Sequence, residues 1–411
     1  MSAASESFAS MRIREFRQFI TGRFLFIMGL RMMGTVTAWW IYQLTKDPLS
    51  LGLIGLAEVI PAVSLALYAG HVVDKNDRRK MIIRSVVLYA LCTLVLLITS
   101  LLQEQIVVST KIAIFILYTI FFFTGVIRAF SGPSFGAVIA QIVPIHLLAN
   151  ATTWSQGTWL SASVIGHALA GFLIAGIGIT GTLVFITSII ILSIIFFRSL
   201  SQKLPPEQAE KRTWESVKEG IRFVWTTKEI LAALTLDLFA VLFGGAVALV
   251  PIFAADILKV GPIGFGWLNA AADFGAILIV LLLILFPLQK KQGKLLLFAV
   301  AGFGLSIILF GASQWFWLSF IALFASGLLD GISIVVRGTI LQLKTPDHLR
   351  GRVMSVNSMF INSSNELGQF ESGVAAKLMG TVPSVIFGGC MTVLIVAVTW
   401  FKAPELRKLE Y

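Results

Sequence analysis

Apolar runs of about twenty residues, set off by glycine, proline and charge, recur along the whole chain, and that is the length an α-helix needs to cross a bilayer's hydrocarbon core. They predict twelve helices: 19–44, 50–72, 80–102, 111–132, 149–176 and 179–197 in the first half, then 230–254, 262–288, 295–312, 315–338, 352–380 and 382–401 in the second. Two stretches, 129–197 and 295–329, hold no Asp, Glu, Lys or Arg at all. Between the halves, residues 199–228 contain Pro205-Pro206 and most of the mixed charge. Within this linker Trp214, Val217, Ile221, Val224 and Trp225 share one helical face, and Glu215, Lys218, Glu219 and Arg222 take the other. That is the profile of a helix lying in the membrane interface.

The two halves repeat. An offset of 202 residues superposes Gly136, Pro144, His146, Leu147, Gly166 and Gly171 on Gly338, Pro346, His348, Leu349, Gly368 and Gly373. The same register sets Arg128 against Asp330, so opposite charges occupy equivalent sites. The expected architecture is an all-α membrane protein with twelve transmembrane helices in two pseudo-symmetric six-helix bundles, 1–198 and 230–411, joined by a cytoplasmic linker over 199–229. Parallel repeats of this kind hold substrate near the membrane midplane.

Composition agrees. Hydrophobic residues make up 57% of the chain and charged residues only 13%, against roughly 25% charged in soluble domains. Of the 32 Lys and Arg, 25 fall on one face of the predicted topology, while Lys46, Lys111, Lys259 and Lys377 fall on the other and Arg31, Arg128 and Arg337 lie within spans. The basic face is therefore cytoplasmic, with both termini on it. The net charge of +11 reflects topology rather than nucleic-acid binding. The N-terminus carries no cleavable signal pattern. Cys92 and Cys390 both fall inside spans, so neither a disulfide framework nor a metal cage is expected.

In the turn between the second and third spans stands Gly70-His-Val-Val-Asp74-Lys75-Asn-Asp77-Arg78-Arg79-Lys80. Gly70 permits close helix approach, Asp74 can accept from a neighbouring helix N-terminus or an arginine, and Arg78 and Arg79 can anchor the loop to anionic headgroups. This stretch resembles the loop signature of the major facilitator superfamily, although members usually have Gly where Asp77 stands. The segments FRQFITGRFLFIMG, KEGIRFVW, QLKTPDHLRGRVMSVNSMF and SNELGQFESG resemble the branch of that superfamily that includes the bacterial enterobactin exporter. Pro346, Arg350, Gly351 and Arg352 match its second loop, and Asn365, Glu366, Gly368 and Glu371 its eleventh span. The resemblance covers essentially the whole chain and implies the major facilitator fold and transport activity, not a particular cargo.

Charge inside a span identifies the candidate chemistry, because a charged side chain at the bilayer centre costs about 3 kcal/mol on insertion scales. Arg31, Glu58, Asp237, Asp273, Glu366 and Glu371 are expected at a central cavity, with Asn357, Asn362, Asn365, Gln369, Trp39, Trp40, Trp154, Gln156 and Trp159 as polar and flat apolar lining. Glu366 and Asp273 are the favoured proton carriers, and structural pairs such as Arg31 with Glu58 or Asp237 are the competing expectation. Arg128, Asp330, Arg337, Arg350 and Arg352 join the loop signature as a cytoplasmic gate. The functional expectation is proton-coupled efflux of a small organic molecule, siderophore or drug-like, across the bacterial inner membrane by a monomeric carrier without cofactor or metal. An importer or a lipid-metabolite carrier would use the same equipment. An enzyme is disfavoured, since His71, His146, His167 and His348 are scattered without metal-site spacing, and a receptor or channel would show a soluble domain or rings of charge.

Overall fold

A computed structural model describes residues 8–202, 214–285, 291–346 and 349–410, with the side chains at 67, 74, 214–217, 284–285, 355 and 362 left aside. Pro205, Pro206, Lys290 and His348 therefore lie outside the described residues, as do the side chains of Asp74, Asn362, Trp214, Glu215 and Val217. The helices are α1 (Arg14–Thr45), α2 (Pro48–Lys75), α3 (Arg78–Glu104), α4 (Thr110–Ile142), α5 (Leu148–Arg198), α6 (Trp214–Thr226), α7 (Lys228–Phe243), α8 (Gly261–Leu285), α9 (Gln292–Ala312), α10 (Phe316–Lys344), α11 (Arg350–Met379) and α12 (Thr381–Lys402). The described residues contain no strand. Among the described residues, ten helical stretches are long and apolar enough to cross a membrane. One of them, Ile145–Arg198, is 54 residues long, which at 1.5 Å per residue is about 80 Å and enough for two crossings. Its break is Gly178, whose φ of 72° and ψ of −178° leave the helix and require glycine. The eleventh predicted span falls on α11, which carries Glu366 and Glu371.

The chain divides into two compact units, Met1–Leu44 with Ile60–Lys211, and Thr45–Val59 with Arg212–Tyr411. The start of α2 thus counts with the second unit, where Gly52 lies against the backbone of Gln369, Phe370 and Gly373 and a Cβ at Gly55 would meet the Glu366 carbonyl at 2.6 Å. Small residues that let backbones touch are how membrane helices associate without a hydrophobic driving force between them.

The first bundle has an aromatic core. Phe26 stacks on Phe135 at 5.4 Å, Phe135 meets Phe197 edge-on at 5.5 Å, and Phe16, Phe19 and Phe197 are fully buried. Arg23 is held among them, 5.9 Å from the Phe19 ring and 5.6 Å from the Phe135 ring. The second bundle has an aliphatic core of Ile230, Leu234, Leu296, Leu297, Val336, Ile340 and Val353, into which α6 inserts Val224. Ile221 and Trp225, on the neighbouring face of α6, stay exposed. The linker helix is therefore docked on its bundle along one edge and open along the other.

The internal repeat is visible in hydrogen bonds. Leu147 N–H donates to the Pro144 carbonyl at 2.9 Å, and Leu349 N–H donates to the Pro346 carbonyl at 2.9 Å, 202 residues on. A Cβ at Gly166 would sit 2.9 Å from the Met28 carbonyl, and one at Gly368 would sit 2.7 Å from the Val241 carbonyl. Each bundle's fifth span thus rests on the backbone of its first at the same repeat position.

The seventh span departs from expectation. Instead of one helix over 230–254, α7 stops at Phe243, followed by a 3₁₀ turn (Ala246–Leu249), a short helical turn (Val250–Ile252) and a π-helical turn (Phe253–Ile257). Gly244-Gly245 and Pro251 cause the break: proline lacks the N–H of a helical bond, and a Cβ at Gly245 would meet the Gly368 carbonyl at 2.5 Å. Irregular backbone at membrane depth is tolerated where it is packed in protein.

Candidate functional site

Close to the midpoint of α1, Arg31 lies with its guanidinium 5.1 Å from the ring centre of Trp159 on α5. The pair is held from behind. The hydroxyl of Thr35, one turn along, lies 3.0 Å from the Arg31 carbonyl and 2.7 Å from His167 Nδ1, hydrogen-bonding with both. Gly166 closes the arrangement, with its Cβ position 3.0 Å from the Arg31 Cβ. No carboxylate pairs with Arg31 among the described residues. A planar cation on an aromatic face is attracted by about 0.5–2 kcal/mol.

The second bundle concentrates acid. Asp237 on α7 and Arg337 on α10 form an ion pair in which both side chains are buried, and Asp330, two turns before Arg337, lies within electrostatic reach of both. Asp237, Asp330 and Ser333 line a cavity closed by Val300, Phe303 and Leu329 that has room for about one water molecule. Two acids and one base leave a surplus of one negative charge. The partner of Asp237 is thus Arg337 of its own bundle rather than Arg31, a pairing the one-dimensional order of charges does not reveal.

The other expected cavity acids lie on α2, α8 and α11. Glu366 is buried on α11 and accepts from Gln369 Nε2 at 2.9 Å. Glu58 on α2, Asp273 on α8 and Glu371 on α11 are half-buried. Asn365 is exposed and turns its amide back onto the Ile361 carbonyl at 2.9 Å. Trp39 and Trp40 are buried packing residues, and Trp40 donates its indole N–H to Gln103 at 2.9 Å, so neither is open lining in this structure. Trp159 is the tryptophan of the expected set that carries a cation.

The loop signature is built differently from its headgroup-anchor reading. Gly70 is buried on α2. Asp77 caps α3, accepting from Arg79 N–H at 2.9 Å and Lys80 N–H at 3.3 Å, and is itself buried. Its side chain thus satisfies two otherwise orphaned helix donors. Arg79 donates to the Arg198 carbonyl and Arg78 points at the Ala137 carbonyl, so both arginines tie spans of the first bundle together. Arg128 is half-buried on α4 and Arg350 is exposed. Arg352 pairs with Glu219 of α6, and a Cβ at Gly220 would meet the Arg352 carbonyl at 3.1 Å. Lys344 pairs with Glu229 at 2.8 Å beside them. At the far end of these helices Lys377 pairs with Asp47 at 2.8 Å and Lys46 approaches Asp256 at 3.9 Å.

Sequence reasoning missed Asp77, Glu219, Gly244-Gly245 and the joining of Arg31 to Trp159. Asp77 was readable as an acid directly before a helix. The Arg31 contact was not, because it depends on how α1 and α5 are rotated about their axes.

Apolar spans, a repeated bundle and charge held inside the membrane define a transporter of the major facilitator superfamily. Solved structures agree on the fold. A bacterial homolog of the human lysosomal transporter Spinster, inward-facing and unoccupied, aligns with a TM-score of 0.71 at 14% identity over 99% of this chain and 98% of that one. A POT family transporter in complex with 5-aminolevulinic acid aligns at 0.74 with 12% identity over 96% and 97%. A D-xylose-proton symporter aligns at 0.69 with 12% identity over 96% and 99%. The chain belongs to the transmembrane secretion effector family, whose sequence profile it matches over residues 5–411. It is 25% identical to the enterobactin exporter of Shigella flexneri over 212 residues, 52% of this chain and 50% of that protein. The enterobactin exporter of Escherichia coli O1:K1 is 24% identical over 212 residues, 52% of this chain and 51% of the other. The chain spans about half the length of the curated relatives it matches. Family membership makes it a multi-pass membrane transporter and not an enzyme.

Proposed function

We propose that the protein exports small organic molecules across the bacterial inner membrane by alternating access, in exchange for protons, with both termini in the cytoplasm. The observation that carries this reading is the Asp237–Arg337–Asp330 cluster, a buried ion pair with a half-buried second acid beside it. Its surplus negative charge is unfavourable in a low-dielectric interior, and one added proton removes it. A group that gains and loses a proton as its surroundings open is the minimum for coupling to a proton gradient. Glu366 and Asp273 are further carriers in this reading, and the turn from Gly70 to Arg79, with Asp74, takes part in the conformational cycle. The secretion effector family and the enterobactin exporters it matches favour efflux over uptake, and siderophore or drug-like cargo.

The test uses inside-out membrane vesicles with an acid lumen. They should accumulate enterobactin or an aromatic drug, collapse of the pH gradient should stop accumulation, and Asp330→Asn, Glu366→Gln or Asp273→Asn should abolish driven uptake while sparing exchange of labelled for unlabelled compound. Accumulation only under the opposite gradient makes the protein a symporter. Undiminished driven uptake in Asp330→Asn rejects the cluster as the proton site.

A further inference from the structure

From the first bundle we infer a binding subsite for the anionic group of an aromatic substrate, made by Arg31 on the face of Trp159. The inference rests on the transport reading above and adds to it the chemical class of the cargo. A cation near the midpoint of a membrane span is costly unless something meets it. Asp237, one of the two acids expected to pair with it, is taken by Arg337. Among the described residues Arg31 is met by an indole face, which offsets only part of that cost.

The surroundings of the pair are open. Trp159 is 38% exposed and Arg31 is half-buried. A Cβ at Gly34, on the same face of α1 one turn away, would meet nothing within 4 Å. Behind the pair the packing is rigid: Gly166 against Met28 and Arg31, and Thr35 bonded to His167 and to the Arg31 backbone. The base of the Arg31 side chain is held from behind while its guanidinium rests on the indole, which reduces the freedom it would lose on binding a ligand.

The geometry specifies the ligand. A guanidinium presents a planar fork of N–H donors that matches a carboxylate or another planar oxyanion in two parallel hydrogen bonds. The indole supplies a flat surface against which a ring attached to that oxyanion can lie. A lipid phosphate would offer the same charge, but its headgroup belongs at the interface rather than at the depth of Arg31.

The experiment compares 1-naphthoate with its neutral isostere 1-naphthamide, using the full chain in nanodiscs of phosphatidylcholine alone, which removes anionic lipid as a competitor. Ligand-dependent shifts of the unfolding midpoint give the two dissociation constants. The acid is expected to bind about tenfold more tightly than the amide, the yield of one good charge-assisted contact. Arg31→Gln should bring the two within about twofold, and Arg31→Lys should keep part of the preference because it retains charge without the fork. Trp159→Ala should weaken both compounds in parallel. Equal binding of acid and amide by the unaltered protein, an acid preference that survives Arg31→Gln, or no shift with either compound overturns the inference. If Arg31→Gln fails to fold, Arg31→Lys and Trp159→Ala decide. Counterflow in inside-out vesicles separates the two proposals. Preference for the acid without movement of either compound rejects export and leaves the subsite standing. Equal movement of both, with or without Arg31, rejects the subsite and leaves export standing.

Discussion

The two bundles descend from one pattern and have been given opposite chemistry. They share the Leu–Pro turn at Pro144 and Pro346 and the glycine seats at Gly166 and Gly368. In the first, Arg31 at midspan lies on an aromatic face. In the second, α7 and α10 hold Asp237, Arg337 and Asp330 beside a water-sized cavity, and α11 carries the buried Glu366. Duplication therefore kept the parts that set helix spacing and let the ionisable side chains diverge.

The widest gap between the bundles should appear when each loses its cation. Arg337→Met strands two acids in a low-dielectric site and should lower unfolding stability by about 3–5 kcal/mol. Arg31→Met removes a charge held over one ring and should change stability by no more than about 1 kcal/mol. Thermal and denaturant unfolding of the two purified variants checks this, and equal losses would erase the distinction. The repeat itself is tested next. Gly166→Val and Gly368→Val each push a side chain onto a neighbouring backbone and should each cost about 1–3 kcal/mol. Similar losses sharpen the equivalence of the two seats, whereas a loss in one bundle alone breaks it.

Smaller effects separate the loops. The first bundle holds its turn with the Asp77 cap, so Asp77→Ala should destabilise by about 1 kcal/mol and Asp77→Asn by less. The second bundle holds α6 with the exposed Arg352–Glu219 pair. Glu219→Gln should cost about 0.5 kcal/mol or less, with the difference vanishing at high salt. Melting curves at low and high ionic strength would show whether the ordering holds.

How much of this was legible in the sequence depends on the kind of interaction. Span positions follow from apolar runs, and the boundary placed between residues 176 and 179 falls on Gly178, because hydrophobicity and glycine act locally. The repeat register was legible for the same reason, since Gly166, Gly368, Pro144 and Pro346 serve the backbone. Side-chain partnerships were not. Asp237 is 100 residues from Arg337, and only the rotation of α7 and α10 about their axes decides that they meet. The break after Phe243 was half-legible: Gly244-Gly245 stood in plain view inside an apolar run, but the reason for it, the backbone of Gly368 pressing on that point, lies on another span. Trp40 and Trp159 were indistinguishable by composition, yet one is sealed by Gln103 and the other carries Arg31.

Gly178 turns the chain with a single residue, and this makes α5 intolerant of length change. A helix advances 100° per residue, so one inserted amino acid after that glycine would swing every following side chain by more than a quarter turn. Ile186, Ile190 and Phe197, all fully buried, would leave their seats together. Insertion scanning, epitope tags and natural indels should therefore find residues 176–181 closed to them.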